Sequence, residues 1–202
     1  MIDFVATFIF FFAVIDPIGT IPVFLAVTHS YNDIEKRKIA LNAILVSAAI
    51  LLFFVIAGEF ILSGMGIPLA AFQIAGGIVL FLFALSMIFG ESKPEEEIRM
   101  ASSSNDTAIF PLAVPSIAGP GAMLAAVLMT ETARFNTWEQ IQTVGIILLI
   151  LLIVYILMRA SSFINRFIGS SGASVISRVM GLIIAAVATT NTLNGIKTYF
   201  NI

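Results

Sequence analysis

Apolar residues fill six long stretches of the chain, and short polar connectors divide them. The first stretch, residues 3–28, is uncharged from Phe4 to Ile15 and again from Pro17 to Thr28, with Asp16 between. A polar connector from Tyr31 to Lys38 follows it. The second stretch, about 39–63, stays uncharged until Glu59 near its end, and Gly64-Met65-Gly66-Ile67-Pro68 has the composition of a tight turn. A third runs from about 69 to 89. The long polar linker 91–106 leads to a fourth, about 107–130, and the fifth and sixth cover about 138–158 and 174–199. A helix needs about 20 apolar residues to cross a bilayer. The pattern therefore predicts an all-α membrane protein with six transmembrane helices.

Two of the six are not built as simple spans. Asp16-Pro17-Ile18-Gly19-Thr20-Ile21-Pro22 sits in the middle of the first, and Pro115-Ser116-Ile117-Ala118-Gly119-Pro120-Gly121 in the fourth, which also holds Pro111. Each proline removes a backbone donor and clashes with the preceding turn. Helices 1 and 4 are expected to break near the midplane, at Pro17 and Pro22 and at Pro115 and Pro120. Freed backbone groups and an ionisable Asp16 are tolerated at that depth only against protein or a water-filled cavity.

The two interrupted stretches correspond, and so do the third and sixth, where Gly77-Ile78-Val79 lies on Gly181-Leu182-Ile183. Each half then has three helices, an odd number, so the second must enter the membrane the opposite way up. The expected organisation is two inverted three-helix repeats, residues 1–90 and 107–202, joined by a cytoplasmic linker at 91–106. Broken helices in corresponding places of such repeats point to a binding site between them.

Composition fixes the solvent and excludes several chemistries. Hydrophobic residues make up 59% of the 202 and charged ones 11%, against about 25% charged in soluble domains. The chain has no cysteine and a single histidine, His29, which rules out thiolate chemistry and a histidine metal cluster. It has no nucleotide-binding glycine loop ending in Lys-Ser or Lys-Thr, and the early residues lack the basic charge of a secretory leader. Eight lysines and arginines fall in the connectors on one side and two, Arg134 and Lys197, on the other. The positive-inside rule puts the eight in the cytoplasm and both termini outside an inner (plasma) membrane.

The segment DPIGTIPVFLAVT (Asp16 to Thr28), with Pro111-Leu112-Ala113-Val114-Pro115 and Ala118-Gly119-Pro120-Gly121-Ala122, resembles the MarC family of six-span membrane proteins. The resemblance covers essentially the whole chain, including Gly76-Gly77 and the polar end of the sixth stretch. It implies transport of small neutral amino acids, often outward, and a site built from the two broken helices and polar residues of span six. Carried onto this chain, that site comprises Asp16, Gly19, Thr20, Ser116, Ala118, Gly119, Gly121, Thr190, Asn191 and Asn194.

The residues themselves lead the same way. Helix starts after Asp16-Pro17 and after Gly119-Pro120 expose N–H groups and positive dipole ends that suit a carboxylate. Free carbonyls and the Asp16 charge suit an ammonium. No lysine or arginine lies in the middle of a span, and the glycines leave room for close backbone approach but not for a large ligand. A small zwitterion such as glycine or alanine fits. The plainer readings stand beside this one: Asp16 as a helix cap, Thr20 and Ser116 returning hydroxyls to carbonyls, the polar residues of span six and the paired glycines as helix-packing devices, and Glu59 as a carboxylate reaching the interface.

The expectation is a secondary transporter, an exporter by alternating access, with a proton or Na+ as candidate coupling ion and no other cofactor. Its partners are the lipid bilayer and the amino acid, with a homo-oligomer left open and no nucleic acid. Alternatives are an intramembrane hydrolase with Ser116 as nucleophile, which lacks a base in the membrane, and a channel, which lacks charged rings at matching depths. The chain is not expected to be an enzyme. Topology is testable at once because there is no native cysteine. Ser103→Cys should resist an impermeant thiol reagent in intact cells and react after permeabilisation; labelling from outside would reverse the orientation.

Overall fold

The computed structural model describes residues 2–89, 107–132 and 135–201. The linker expected at 91–106 lies outside them, as does Arg134. The described residues form helices and no strands: α1 Phe4–Ile15, α2 Thr20–Thr28, α3 Asp33–Gly64, α4 Leu69–Phe89, α5 Ala108–Ile117, α6 Pro120–Leu128, α7 Thr137–Arg159 and α8 Ser161–Phe200. Five stretches are long and apolar enough to cross a membrane, with α1 and α2 counted as one. There are six if α5 and α6, bent by 52° at their junction, make one crossing.

The helices begin where side chains supply the acceptors that first-turn N–H groups lack. Asp3 accepts from Ala6 N at 3.0 Å to start α1. Asn32 and Glu35 cap α3 reciprocally, Asn32 Oδ1 accepting from the N–H of Glu35 at 3.0 Å and Glu35 from that of Asn32 at 2.9 Å. Asn136 and Glu139 repeat this capping box at α7. Between α3 and α4 the chain turns at Gly66, whose φ of 65° suits glycine.

The segment α5 is the irregular one. The Phe110–Pro111 and Val114–Pro115 peptides are cis, and Phe110 and Val114 are extended. Its turns are wide, and Ala118 N–H reaches five residues back to Ala113 O at 2.8 Å. At the other end of the chain, a helix expected from about 174 in fact starts at Ser161. Arg166 and the Gly-Ser composition of 169–174 read as connector. Instead the chain stays helical on both sides of Gly169, whose backbone alone departs from helix (φ 64°, ψ 174°).

Burial separates a hub from a frame. In α1–α2 the most apolar window is 72% buried, whereas the other spans are 22–39% buried. Phe11, Ile15, Leu112 and Ile117 of α1 and α5 are fully enclosed, against Leu80 of α4, Ile147 of α7 and Ile184 of α8. Around them, Phe53, Ile56 and Phe60 of α3, Leu82 of α4, Leu152 of α7 and Leu182 of α8 are exposed. Apolar surface on this scale is costly in water and costs nothing against lipid tails.

Helices α4 and α8 lie antiparallel and very close. A Cβ on Gly77 would fall 2.9 Å from Ala188 O and from Thr192 N, and one on Gly195 would fall 3.1 Å from Ala70 O. Gly76 instead faces Leu124 of α6. Small residues of this kind let membrane helices pack backbone to backbone. Gly77→Val should therefore lower stability by about 1–3 kcal/mol through overpacking. Gly145→Ala, whose Cβ would meet nothing within 4 Å, should be neutral or slightly stabilising. Thermal unfolding of both purified variants in detergent checks the pair, and equal melting temperatures would contradict this packing.

Candidate functional site

The polar knot of the first stretch folds because Asp16 ends one helix and ties down the start of the next. Asp16 takes the left-handed conformation (φ 50°, ψ 67°) that stops α1, and its N–H closes the last turn on Phe12 O at 3.0 Å. Asp and Asn visit this region more readily than most residues. Its Oδ1 then accepts from Gly19 N–H at 3.0 Å, and its carbonyl accepts from both Thr20 N–H and Thr20 Oγ1–H at 3.2 Å. The cap reading thus describes one carboxylate oxygen. The other, Oδ2, accepts from the Ser177 hydroxyl of α8 at 2.5 Å.

The second knot meets the first at this point. Thr20 Oγ1 and Ser116 Oγ share a hydrogen bond at 3.2 Å. Asp16, Thr20 and Ser116 each expose 1% of their surface or less, and Ser177 is fully buried. Glycine is obligatory beside them: a Cβ on Gly19 would fall 2.2 Å from Asp16 Oδ2 and 2.7 Å from Ser177 Oγ. On the facing segment, a Cβ on Gly119 would meet Pro115 O at 2.5 Å, and one on Gly121 would touch Phe83 and Val14 at 3.1–3.2 Å. Ala118 is buried between these glycines and the α5 turn. Pro17 and Pro22 are buried, Pro115 is half-buried, and Pro120 is exposed at the first turn of α6.

The start of α6, at Pro120, comes four residues after Ser116. The first intrahelical bond of α6 runs from Met123 N–H to Gly119 O at 3.0 Å. The buried N–H groups of Gly121 and Ala122 precede it and have no earlier carbonyl of the helix to use. The positive end of this short helix follows the Ser116 segment and packs on Val14 of α1, two residues before Asp16. Among the described residues no group of three or more His, Asp or Glu side chains is placed to hold a metal ion.

The structure brings together Asp16, Gly19, Thr20 and Ser116, while Ala118, Gly119 and Gly121 follow Ser116 along the chain, with Gly121 against Phe83 and Val14. It does not bring Thr190, Asn191 or Asn194 to them. Asn191 lies fourteen residues beyond Ser177 on α8, about 21 Å along a helix axis. Thr190 and Asn194 are exposed, and the Thr190 hydroxyl returns to Ala186 O at 2.9 Å. Ser177 is the residue that sequence reasoning missed. It shares a face with Gly181, Ile184, Ala188, Asn191 and Gly195, all buried; a small polar residue continuing that stripe was the available signal. Glu59 also has a defined role, accepting from Thr132 N–H at 2.8 Å and from the Thr132 hydroxyl, so that α3 is tied to the segment after α6.

The model of the MarC family integral membrane proteins matches residues 1–200. The chain belongs to the MarC family. Its relatives include a UPF0056 membrane protein of Methanocaldococcus jannaschii, 38% identical over 96% of both chains. Another, from Aquifex aeolicus, is 33% identical over 96% of this chain and 92% of its own. A third, from Buchnera aphidicola, is 31% identical over all of this chain and 96% of the relative. No solved structure matches the chain. This MarC chain is thus an integral membrane protein with several apolar helices around a closed polar cluster.

The cluster carries a test of its own. Ser177→Ala removes one of the donors to a buried carboxylate and should destabilise the protein by about 1–3 kcal/mol. Ser86→Ala, at an exposed hydroxyl that donates to Phe83 O at 2.8 Å, should change stability little. Denaturation midpoints of the two variants, measured side by side, check the difference; an equal effect would mean that Ser177 does not support Asp16.

Proposed function

We propose that this MarC chain is a secondary transporter that exports small neutral amino acids, such as glycine or alanine, by alternating access. The observation that carries the reading is the buried Asp16 carboxylate, linked through Thr20 to Ser116 shortly before the start of α6. The carboxylate suits a substrate ammonium, and the N–H groups of Gly121 and Ala122 at the start of α6 suit a substrate carboxylate. Ser177 donates to Asp16 Oδ2, so its hydroxyl stands where an ammonium would donate. The cluster encloses the Asp16 carboxylate. Binding exchanges the Ser177 bond for the substrate's.

The packing supports an inverted repeat. If α1–α2, α3 and α4 correspond to α5–α6, α7 and α8, swapping the halves should preserve every neighbour relation. Most of them carry over: α3 packs on α5 and α6 as α7 packs on α1 and α2, α4 on α6 as α8 on α2, α1 on α6 as α5 on α2, and α4 with α8 form the shared pair, whereas the packing of α8 on α1 and on α7 has no counterpart of like extent. In this reading the interruptions at Asp16–Gly19 and Ala118–Gly119 are broken transmembrane helices meeting near the midplane, with both termini external and the chain in the inner membrane. Ser116 faces a hydroxyl rather than an imidazole or amine, which favours the carrier over a hydrolase.

The decisive variant is Asp16→Asn, because Asn caps about as well as Asp but carries no charge. A charge-assisted hydrogen bond is worth about 1.5–3 kcal/mol. Folded Asp16→Asn should therefore bind alanine about ten- to a hundred-fold more weakly, and counterflow of labelled alanine in proteoliposomes should fall in step. Native affinity in the variant would leave Asp16 a cap. Absence of glycine and alanine counterflow by the native protein would overturn the carrier reading.

A further inference from the structure

The packing of α4 on α8 buries two side-chain amides that the Asp16 cluster does not use. Gln73 is 4% exposed and Asn191 8%, and neither Gln73 Nε2 nor Asn191 Nδ2 has a hydrogen-bond partner. Buried donors are almost always paired, because an unpaired one forfeits its hydration for nothing. Two of them on one helix seam indicate that an acceptor belongs there.

The helix register sets them on neighbouring turns of one seam. Gly77 abuts Ala188 and Thr192, and Gly195 abuts Ala70 and Ile74. On that register Gln73 is level with Asn194 and Asn191 with Gly76, so the two amides lie within one turn of each other, about 4.5 Å apart along the seam. At about 100° per residue, each is turned about 50° from the line of closest approach. Because the helices are antiparallel, equal turns carry both side chains to the same side of the seam. That side is where Gly76 faces Leu124 of α6, toward the interior.

We infer that Gln73 and Asn191 form a second binding point, for the carboxylate of a zwitterionic amino acid, about 21 Å along α8 from the Asp16 cluster. Each amide N–H2 supplies a donor to a carboxylate oxygen. All the lysines and arginines lie in the connectors or near span ends, so a free anion would enter uncompensated, whereas a zwitterion brings its own cation. This rests on the carrier reading, under which the point lies toward the outer surface, on the exit side of the closed site.

The test observes Gln73 directly. The chain has three glutamines, Gln73, Gln140 and Gln142, so glutamine labelled with 15N in its side chain gives three amide signals, and Gln73→Leu assigns one. In detergent-solubilised protein, L-alanine should shift the Gln73 signal saturably, and alaninamide, which lacks the carboxylate, should not. Asn191→Leu should weaken the alanine response about tenfold, while Asp16→Asn should leave it in place. An unmoved Gln73 signal, an equal response to alaninamide, or loss of the response in Asp16→Asn with retention in Asn191→Leu would each overturn the inference. Alanine counterflow by the native protein is measured in parallel. Counterflow with an unmoved Gln73 removes this site and keeps the carrier; a Gln73 response without counterflow keeps the site and removes the carrier.

Discussion

Asp16 holds a carboxylate at 1% exposure among side chains suited to lipid, and a charge there is tolerable only where donors reach it. The demands this makes run outward through the fold. Gly19 must lack a side chain so that its N–H and the Ser177 hydroxyl can both approach. Thr20 must close the turn on the Asp16 carbonyl, and α8 must bring Ser177 to the same depth. Helix α8 can do so because its glycines let it press against α4. A single buried acid thus sets requirements on three helices that are far apart in sequence.

Hub and frame are held together by different forces. The α4–α8 pair is backbone against backbone, a geometry in which dispersion over many small contacts does the holding. Polar bonds join the halves at a few places. Thr20 meets Ser116 and Ser177 donates to Asp16 in the centre, Glu59 accepts from Thr132 beside the far end of α3, and Arg178 donates to Ile88 O at the end of α4. The last pairs a cation with the carbonyl end of a helix, where the dipole favours it.

Much of this is legible in the sequence. Long apolar stretches give the helices, because in lipid the backbone must satisfy itself within each segment. Asp16-Pro17 and Gly119-Pro120 mark the interruptions because proline chemistry is local. The pairing of Gly77 with Gly181 points to close packing, which the contacts of both residues with the facing helix bear out. What the sequence hid was angular. Thr190, Asn191 and Asn194 are similar in kind, yet only Asn191 faces inward, and Ser177 looked like one more serine in a Gly-Ser run. Fixing the angle requires knowing which stripe of α8 meets α4, a tertiary fact. The start of α8 was hidden for a related reason: Gly169 departs from helix for one residue, and helix resumes on either side because neighbours pack there.

The placement of the polar bonds bears on how such a bundle could move. Glu59–Thr132 and Arg178–Ile88 both tie a helix of the first half to a segment of the second, and they sit at opposite ends of the molecule. Between them, the Thr20–Ser116 bond joins two neutral hydroxyls, and beside it Ser177 of the second half donates to the Asp16 carboxylate of the first. The bond to the carboxylate is the stronger of the two central ties, because its acceptor is charged. A rigid-body rocking of one half against the other would have to break it or carry it along, whichever end tie is released. On the carrier reading proposed above, an ammonium that takes the place of the Ser177 hydroxyl on Asp16 would remove that central tie and loosen α8 from the first half.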